Sequence, residues 1–368
     1  MDLRDLRRQL DEIDQQMLEL FAARQRASEE IARAKRRDGR ATRDFSRERE
    51  VVMAARARAE SLGVPGESAE ALMRLMIRAS LTTQEHAALA ADGAGSGQRA
   101  LVIGGAGNMG RWFVGFLQSL GFAVSVSDPA GTPEGSVQVD WRKETVDHEV
   151  IIVAAPMVVS SKVLLELAVR RPPGLICDIG SLKSPLRAGL MALKSHGCKV
   201  TSIHPMFGPG AQLLSGRHVI FIDLGCEEAL AQARALFAPT MVEQVVMTLE
   251  EHDRLIAYVL GLSHALNIAF CNALAASGEA APKLSRLSST TFDAQFDVAA
   301  RVTEDNPEMY YEIQSLNDYG AEPLEALARA VERLRTAVLT RDHDTFVSMM
   351  LQGREYMENR RDLAARRA

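Results

Sequence analysis

The chain has 368 residues, more than one ordinary domain needs, so two or three domains are expected. Its 47% hydrophobic and 25% charged residues fit a globular protein, and a net charge of −5 gives no support for a nucleic-acid partner. Four widely spaced cysteines (Cys177, Cys198, Cys226, Cys271), with no CxxC and no Cys/His cluster, exclude a disulfide framework and a zinc ribbon, and no metal site is expected.

The opening MDLRDLRRQLDEID is charged from residue 2, unlike a signal peptide, and no apolar run is read as long enough to cross a bilayer. A cytoplasmic protein without a membrane segment is the expectation. Residues 1–89 read as an all-helical module. Leu3, Leu6, Leu10, Ile13, Met17 and Leu20 alternate in spacings of three and four, the seam of one long helix over about residues 2–37. So long an apolar face calls for a second chain, so a homodimer is expected.

The next seam position is Arg24, which is costly to bury without an anionic partner. Lys35 falls on the same stripe at helical phase, whereas Arg7 lies about a quarter-turn away and could serve a partner's site. Asp44, Arg47 and Glu48 open a second helical stretch, and Ser80 and Gln84 share a face of a third. These residues outline a pocket for a dianion that works by orientation and electrostatics, since no histidine or cysteine precedes His86. The alternative for each arginine is a solvated coiled coil with glutamate partners.

The segment AADGAGSGQ at 90–98 reads as a flexible linker. From Arg99 short apolar runs alternate with helical patterns (ALVIGG, FAVSVS, EVIIVAA, GLICDI, KVTSI, HVIFID), the mark of a parallel α/β sheet over 99–245. GGAGNMG follows the first run and opens a helix. Gly105 would make the tight turn, Gly107 would let the backbone approach a pyrophosphate, and Gly110 would let helix and strand pack closely; Asn108 and Met109 lie between the last two. Asp128 ends the second run, where an acid bonds ribose hydroxyls. No arginine follows it closely, so NAD is preferred over NADP.

DIGSLKSP places Ser181, and SIHPMFGPG places His204, just past strand ends, where open sheets bind ligands; a histidine there is a candidate base. Residues 246–368 read as helices, over 249–280, 292–302 and 307–365. His264 lies in an apolar helix there and Arg301 in VAARVTEDNPEMYYEI, with a core histidine and a surface arginine as the alternatives.

Residues 3–88 resemble the all-helical class of chorismate mutase through LRRQLDEIDQQMLELFAARQRASEEIARAK, RDFSRERE and SLTTQ. The resemblance implies an intertwined dimer that rearranges chorismate to prephenate. It implies that Arg24, Arg47 and the other protomer's Arg7 hold carboxylates, that Lys35 and Gln84 bond the ether oxygen, and that Glu48 takes the ring hydroxyl, with Asp44 and Ser80 nearby. HPMFGPG, GSLKSP and the ARVTEDNPEMYYEI helix are similar to prephenate dehydrogenase over about 99–345, and the order of modules fits a bifunctional chorismate mutase–prephenate dehydrogenase. That resemblance implies NAD-dependent oxidative decarboxylation of prephenate to 4-hydroxyphenylpyruvate, with His204 taking the proton of the 4-hydroxyl and Ser181 supporting it. Arg301 would hold a carboxylate and His264 would shape the pocket. It also implies dimerisation through the C-terminal helices, and often feedback inhibition by tyrosine. Arogenate in place of prephenate, a 3-hydroxyacid dehydrogenase (against which no lysine stands in 249–275), and a nucleotide-sensing regulator remain the alternatives.

Overall fold

The computed structural model describes every residue except Met1, Ala94, Ala280, Ser288 and Ala368, and leaves out the side chains of Ala281, Pro282, Ser285 and residues 360–367. The chain falls into two compact units, residues 1–249 and 250–368.

The first unit opens with three helices, α1 (Leu3–Arg37), α2 (Phe45–Ser61) and α3 (Gly66–Asp92). Asp2 caps α1 through the Arg4 and Asp5 backbone N–H groups, and the Asp5 carboxylate closes a capping box. Gly39 and Gly63 take φ of +62° and +73° at the ends of α1 and α2, where a left-handed residue stops a helix. Both α1 and α2 pack against α3. The seam stays open, with Leu3, Leu6, Leu10, Ile13, Met17 and Leu20 43–70% exposed, whereas the buried residues of α1, Ser28 and Ala32, lie beside the seam and not on it.

The segment expected as a flexible linker is instead held against the sheet domain. Gly95 N–H donates to Leu120 O at 2.9 Å, and a Cβ on Gly95 would lie 2.2 Å from the Phe122 ring. Gly93 likewise runs against the Leu120 carbonyl. Glycine is needed there for close approach rather than for freedom.

Next come β1 (Arg99–Ile103), α4 (Asn108–Ser119), β2 (Ala123–Ser127), β3 (Val137–Gln138), β4 (Val150–Val153), α5 (Met157–Arg170), β5 (Leu175–Asp178), a 3₁₀ turn (Ser184–Leu186), α6 (Arg187–Ser195), β6 (Val200–Pro205), β7 (His218–Ile222), α7 (Glu227–Leu236) and β8 (Glu243–Met247). One sheet results, in the order β3-β2-β1-β4-β5-β6-β7-β8. It is parallel except that β7 runs antiparallel to β6, so the all-parallel expectation is corrected at that edge. Residues 206–217 connect this pair as a loop, with no crossover helix to force parallel pairing. The short β3 and the half-exposed β8 carry too little apolar alternation to have been read as strands.

Phe113, Phe116, Phe221 and Phe237 fill one face of the sheet, with Phe116 and Phe237 stacked at 4.8 Å. Leu89 of α3 joins this core, so the helical module is anchored on the sheet.

The second unit is helical: α8 (Leu249–Ile256), a π turn (Ala257–Leu262), α9 (Ser263–Ala276), α10 (Ala281–Arg286), α11 (Thr290–Thr303), α12 (Pro307–Ser315), α13 (Ala321–Thr340) and α14 (His343–Arg367). The span read as helical over 307–365 is broken at 316–320 and again at Arg341, which takes φ +56°. The π turn leaves the Gly261 carbonyl to accept from Gln314 Nε2 at 2.9 Å. α9 packs on α11, where Gln295 Nε2 donates to buried Asn267. The continuous helical stretch Leu249–Ala276 is long and apolar enough to cross a membrane by length and composition, which corrects the expectation that no run reaches that length. Its Ser263, Asn267 and Asn272 bond helix carbonyls one turn back.

Candidate active sites

Two sites lie in the first unit. The first is a cavity of about 490 Å³ among α1, α2 and α3. Arg24, Lys35, Asp44, Arg47, Glu48, Ser80 and Gln84 all line it, from three separate segments. Arg7 is exposed and outside this cavity.

Each lining residue is held locally. Arg24 Nη1 donates to the Met76 carbonyl at 2.7 Å and to Ser80 Oγ. That leaves its Nε–Nη2 edge, the one that grips a carboxylate with two parallel bonds, unengaged among the described residues. Burial pulls the Arg24 guanidinium pKa below its ordinary value. Lys35 Nζ donates to Thr42 O at 2.6 Å. Asp44 is the N-cap of α2, accepting from Arg47 N–H, so the structural role of Asp44 and its place in the cavity coexist. Arg47 pairs with Glu50 at the exposed rim. Gln84 is buried, and its Oε1 has no partner among the described residues. A buried acceptor left unpaired costs about 1–3 kcal/mol, so this oxygen calls for a donor such as a water or a ligand hydroxyl. Three cations against two carboxylates suit a doubly anionic molecule.

Glu48 has a partner that sequence reading did not name. Arg43 grips both its oxygens, at 2.8 and 2.9 Å. An arginine among many in a basic stretch gave no signal that singled it out.

The second site is at the carboxyl ends of the strands. Gly104–Gly107 turns β1 into α4. The left-handed residue of this turn is Gly104, at φ +88°, so the tight-turn role expected for Gly105 passes to its neighbour. Gly105 is needed instead for packing, since a Cβ there would lie 2.6 Å from Val126. Gly110 packs as expected: its Cβ would sit 2.1 Å from the Gly104 carbonyl. At Gly107, the N-cap of α4, an added Cβ meets only Gly104 O at 3.5 Å, which leaves that face open to a ligand. Asn108 and Met109 open α4. Asp128 lies just past β2, with Oδ2 accepting from Ala106 N–H at 3.0 Å and Oδ1 from Ala130 N–H at 2.8 Å. A carboxylate is thus fixed beside the glycine turn, as a ribose hydroxyl would require.

β5 and β6 are parallel neighbours, with Asp178 opposite Ser202. Ser181, three residues past Asp178, and His204, two past Ser202, therefore emerge at the same end of the sheet. His204 is 4% exposed and still paired within β6, opposite Ile220, so it belongs to the strand rather than to the loop after it. Sequence reading missed Lys183, which is fully buried. Its Nζ donates to Asp178 Oδ1 at 3.0 Å, to Gly180 O at 2.6 Å and to Ile203 O at 2.9 Å. Those two carbonyls immediately precede Ser181 and His204, so one ammonium fixes both backbones. The signal was a lysine between a glycine turn and a proline.

Two further candidates lie in the second unit. Arg301 is exposed on α11. His264 on α9 lies against Tyr310, with ring centroids 4.5 Å apart and the planes tilted by 55°, and its Nδ1 is buried without a partner among the described residues. Burial lowers its pKa, which keeps the ring neutral near neutral pH.

Comparison with known proteins matches three family models along the chain. Residues 6–85 match chorismate mutase type II, residues 137–246 the nucleotide-binding domain of prephenate dehydrogenase, and residues 248–352 its dimerization domain. The glycine turn precedes the second match. The chain is 26% identical over 313 residues to the T-protein of Enterobacter agglomerans, covering 85% of this chain and 81% of that one. It is 23% identical over 366 residues to the T-protein of Haemophilus influenzae, covering 96% and 92%. The fold resembles that of prephenate dehydrogenase from A. aeolicus, solved with hydroxyphenyl propionate and NAD+, at a TM-score of 0.58 and 17% identity over 71% of this chain and 98% of that one.

Proposed function

The chain belongs to the bifunctional chorismate mutase–prephenate dehydrogenases, and on that premise we propose how its own residues carry the two reactions. The protein is an isomerase and an oxidoreductase of tyrosine biosynthesis. It rearranges chorismate to prephenate, then converts prephenate to 4-hydroxyphenylpyruvate by NAD-dependent oxidative decarboxylation.

The observation that carries the first half is the single cavity that gathers seven candidates from three helices. In it Arg24 and Arg47 hold the substrate carboxylates, with Arg7 of the partner subunit reaching in from outside. Lys35 and Gln84 donate to the ether oxygen as charge develops on it, which lowers the barrier without any proton transfer. Glu48, its carboxylate held by Arg43, accepts the ring hydroxyl. Asp44 and Ser80 hold the frame, the latter through Arg24.

The second reaction belongs to the strand ends. The open face of Gly107 and the Asp128 carboxylate fit a dinucleotide, and a carboxylate at that place disfavours a 2′-phosphate. NAD supplies the hydride acceptor when bound. His204 takes the proton of the 4-hydroxyl as hydride leaves the same carbon, and the ring carboxylate departs as CO₂, leaving an aromatic ring. Ser181 supports His204 and the hydroxyl. Arg301 binds a prephenate carboxylate and neutral His264 shapes the pocket wall. The 4% exposure of His204 supports this role, since a dry base is tuned by its surroundings rather than by water.

A homodimer completes the account. The exposed seam Leu3–Leu20 supports one interface, and the match to a dimerization domain supports another along the apolar C-terminal helices. Four free cysteines support a reducing cytoplasm. Tyrosine as a feedback inhibitor, and the absence of any membrane or nucleic-acid partner, belong to the same reading. The test is prephenate oxidation with NAD+ and with NADP+ in turn. One CO₂ per NADH, with NAD+ preferred, is expected. Oxidation of arogenate alone, or a preference for NADP+, would contradict the assignment. Sedimentation should give twice the chain mass.

A further inference from the structure

We infer that the chorismate cavity is held in shape from the dinucleotide-binding domain, with Arg43 and Glu85 as positioning residues for Glu48 and Gln84 and with Ser215 as the far anchor. The inference rests on the reading of that cavity as the mutase site.

Two independent links cross from helices to sheet domain. The first starts at Glu48. Arg43 holds Glu48 with Nε and Nη2 while its Nη1 donates to Ser215 Oγ at 2.6 Å, 172 residues along the chain. The guanidinium also lies over the Phe45 ring at 4.2 Å, which restricts it further. A planar fork with all three nitrogens engaged has one orientation, and so does the carboxylate it grips.

The second link starts beside Gln84. Consecutive helical residues point about 100° apart, so the residue after Gln84 faces away from the cavity. That residue is Glu85, 1% exposed, with Oε1 accepting from Met241 N–H at 2.6 Å and Oε2 from Leu214 N–H at 2.7 Å. Two backbone bonds to one carboxylate fix the rotation of α3 about its axis, and with it the direction of Gln84. Burial raises the Glu85 pKa, and the two backbone bonds oppose that rise.

Both links end on residues 214–215, or close beside them in space at Met241. Residues 214–215 lie in the segment between His204 and β7, itself tied to α4 by Trp112 Nε1 donating to Ala211 O at 2.9 Å. The mutase geometry therefore depends on a loop of the dinucleotide-binding domain that connects β6 to β7 and lies outside the residues assigned to prephenate oxidation.

The test is a double-substitution cycle on the full-length enzyme with Ser215→Ala, Arg43→Lys and both together. Mutase kcat and KM are measured on chorismate without NAD+, and prephenate-dependent NADH formation and Tm on the same samples. Ser215→Ala, a change in the dehydrogenase half, is expected to lower mutase kcat/KM about three- to tenfold, chiefly in kcat, and to leave prephenate oxidation unchanged. The double variant falls no further than Arg43→Lys, because the link is already cut. Glu85→Gln, which turns an amide N–H₂ toward one of the two backbone donors, lowers the same parameter. An unchanged mutase in Ser215→Ala, or multiplying effects in the double variant, would overturn the inference. So would parallel loss of both activities with a lowered Tm, which would make the contact a general brace. Failure of the underlying reading looks different: the unsubstituted enzyme would not consume chorismate.

Discussion

Arg24→Ala separates the two activities most cleanly. The side chain is oriented through Nη1 by Met76 O and Ser80 Oγ, and presents its second edge to the cavity. Removing that edge deletes two charge-assisted hydrogen bonds to a substrate carboxylate, at about 1.5–3 kcal/mol each. The sum, about 3–6 kcal/mol, corresponds to roughly a 10²- to 10⁴-fold loss in kcat/KM. The fold loses less, since the two Nη1 bonds are neutral-acceptor contacts in a partly open place, worth about 1 kcal/mol each. The assay follows chorismate consumption without NAD+, with prephenate-dependent NADH formation as the control. The expected result is a mutase-dead enzyme with intact prephenate oxidation. A variant that keeps mutase kcat/KM within about tenfold of the parent would refute the placement of Arg24 on a carboxylate.

The remaining predictions concern the sheet domain. His204→Asn is expected to cut prephenate oxidation roughly 10²- to 10⁴-fold while calorimetric NAD+ binding and mutase activity stay as they were; near-normal turnover would remove His204 from the chemistry. Gly107→Ala and Gly110→Ala should part company. The first keeps Tm and weakens NAD+ binding, because its Cβ enters open space, whereas the second lowers both, because its Cβ meets the Gly104 carbonyl. Lys183→Met leaves the buried Asp178 carboxylate unpaired, at about 3–5 kcal/mol, so Tm and dehydrogenase activity fall together. His148 is buried with Nδ1 unpartnered among the described residues, and its pKa is lowered by desolvation first and by Arg99 second. A depressed folded-state pKa means that stability is present above the ordinary value of 6.5 and is lost as pH falls through the folded one. His148→Gln should therefore flatten the decline of Tm below pH 6.5, and an unchanged slope would count against it.

What the sequence made legible follows from what has period and what does not. The heptad spacing of Leu3 to Leu20 and the alternation of apolar runs after Arg99 reflect single elements, and both survive in the structure. Within single helices the cavity residues were legible, because helical phase puts Arg24 with Lys35, and Ser80 with Gln84, before any contact is known. The partners of those residues were not, because Arg43 to Ser215 and Glu85 to Leu214 are contacts of long sequence separation with no local signature. Glycine misled twice for one reason. Its two uses, positive φ and close approach, look alike in a sequence, so Gly104 and Gly105 exchanged roles and the packed Gly93 and Gly95 read as parts of a linker. The antiparallel β7 escaped because pairing direction is set by the connecting loop, whereas the apolar run HVIFID is the same either way.

The central claim is that both sites are live on one chain and act in sequence. The most direct measurement adds chorismate and NAD+ to the purified protein, with no other enzyme, and follows NADH absorbance. The account predicts NADH equal to the chorismate supplied, with 4-hydroxyphenylpyruvate as product. NADH from added prephenate but none from chorismate would contradict it, and would make the helical module a dimerisation or regulatory arm.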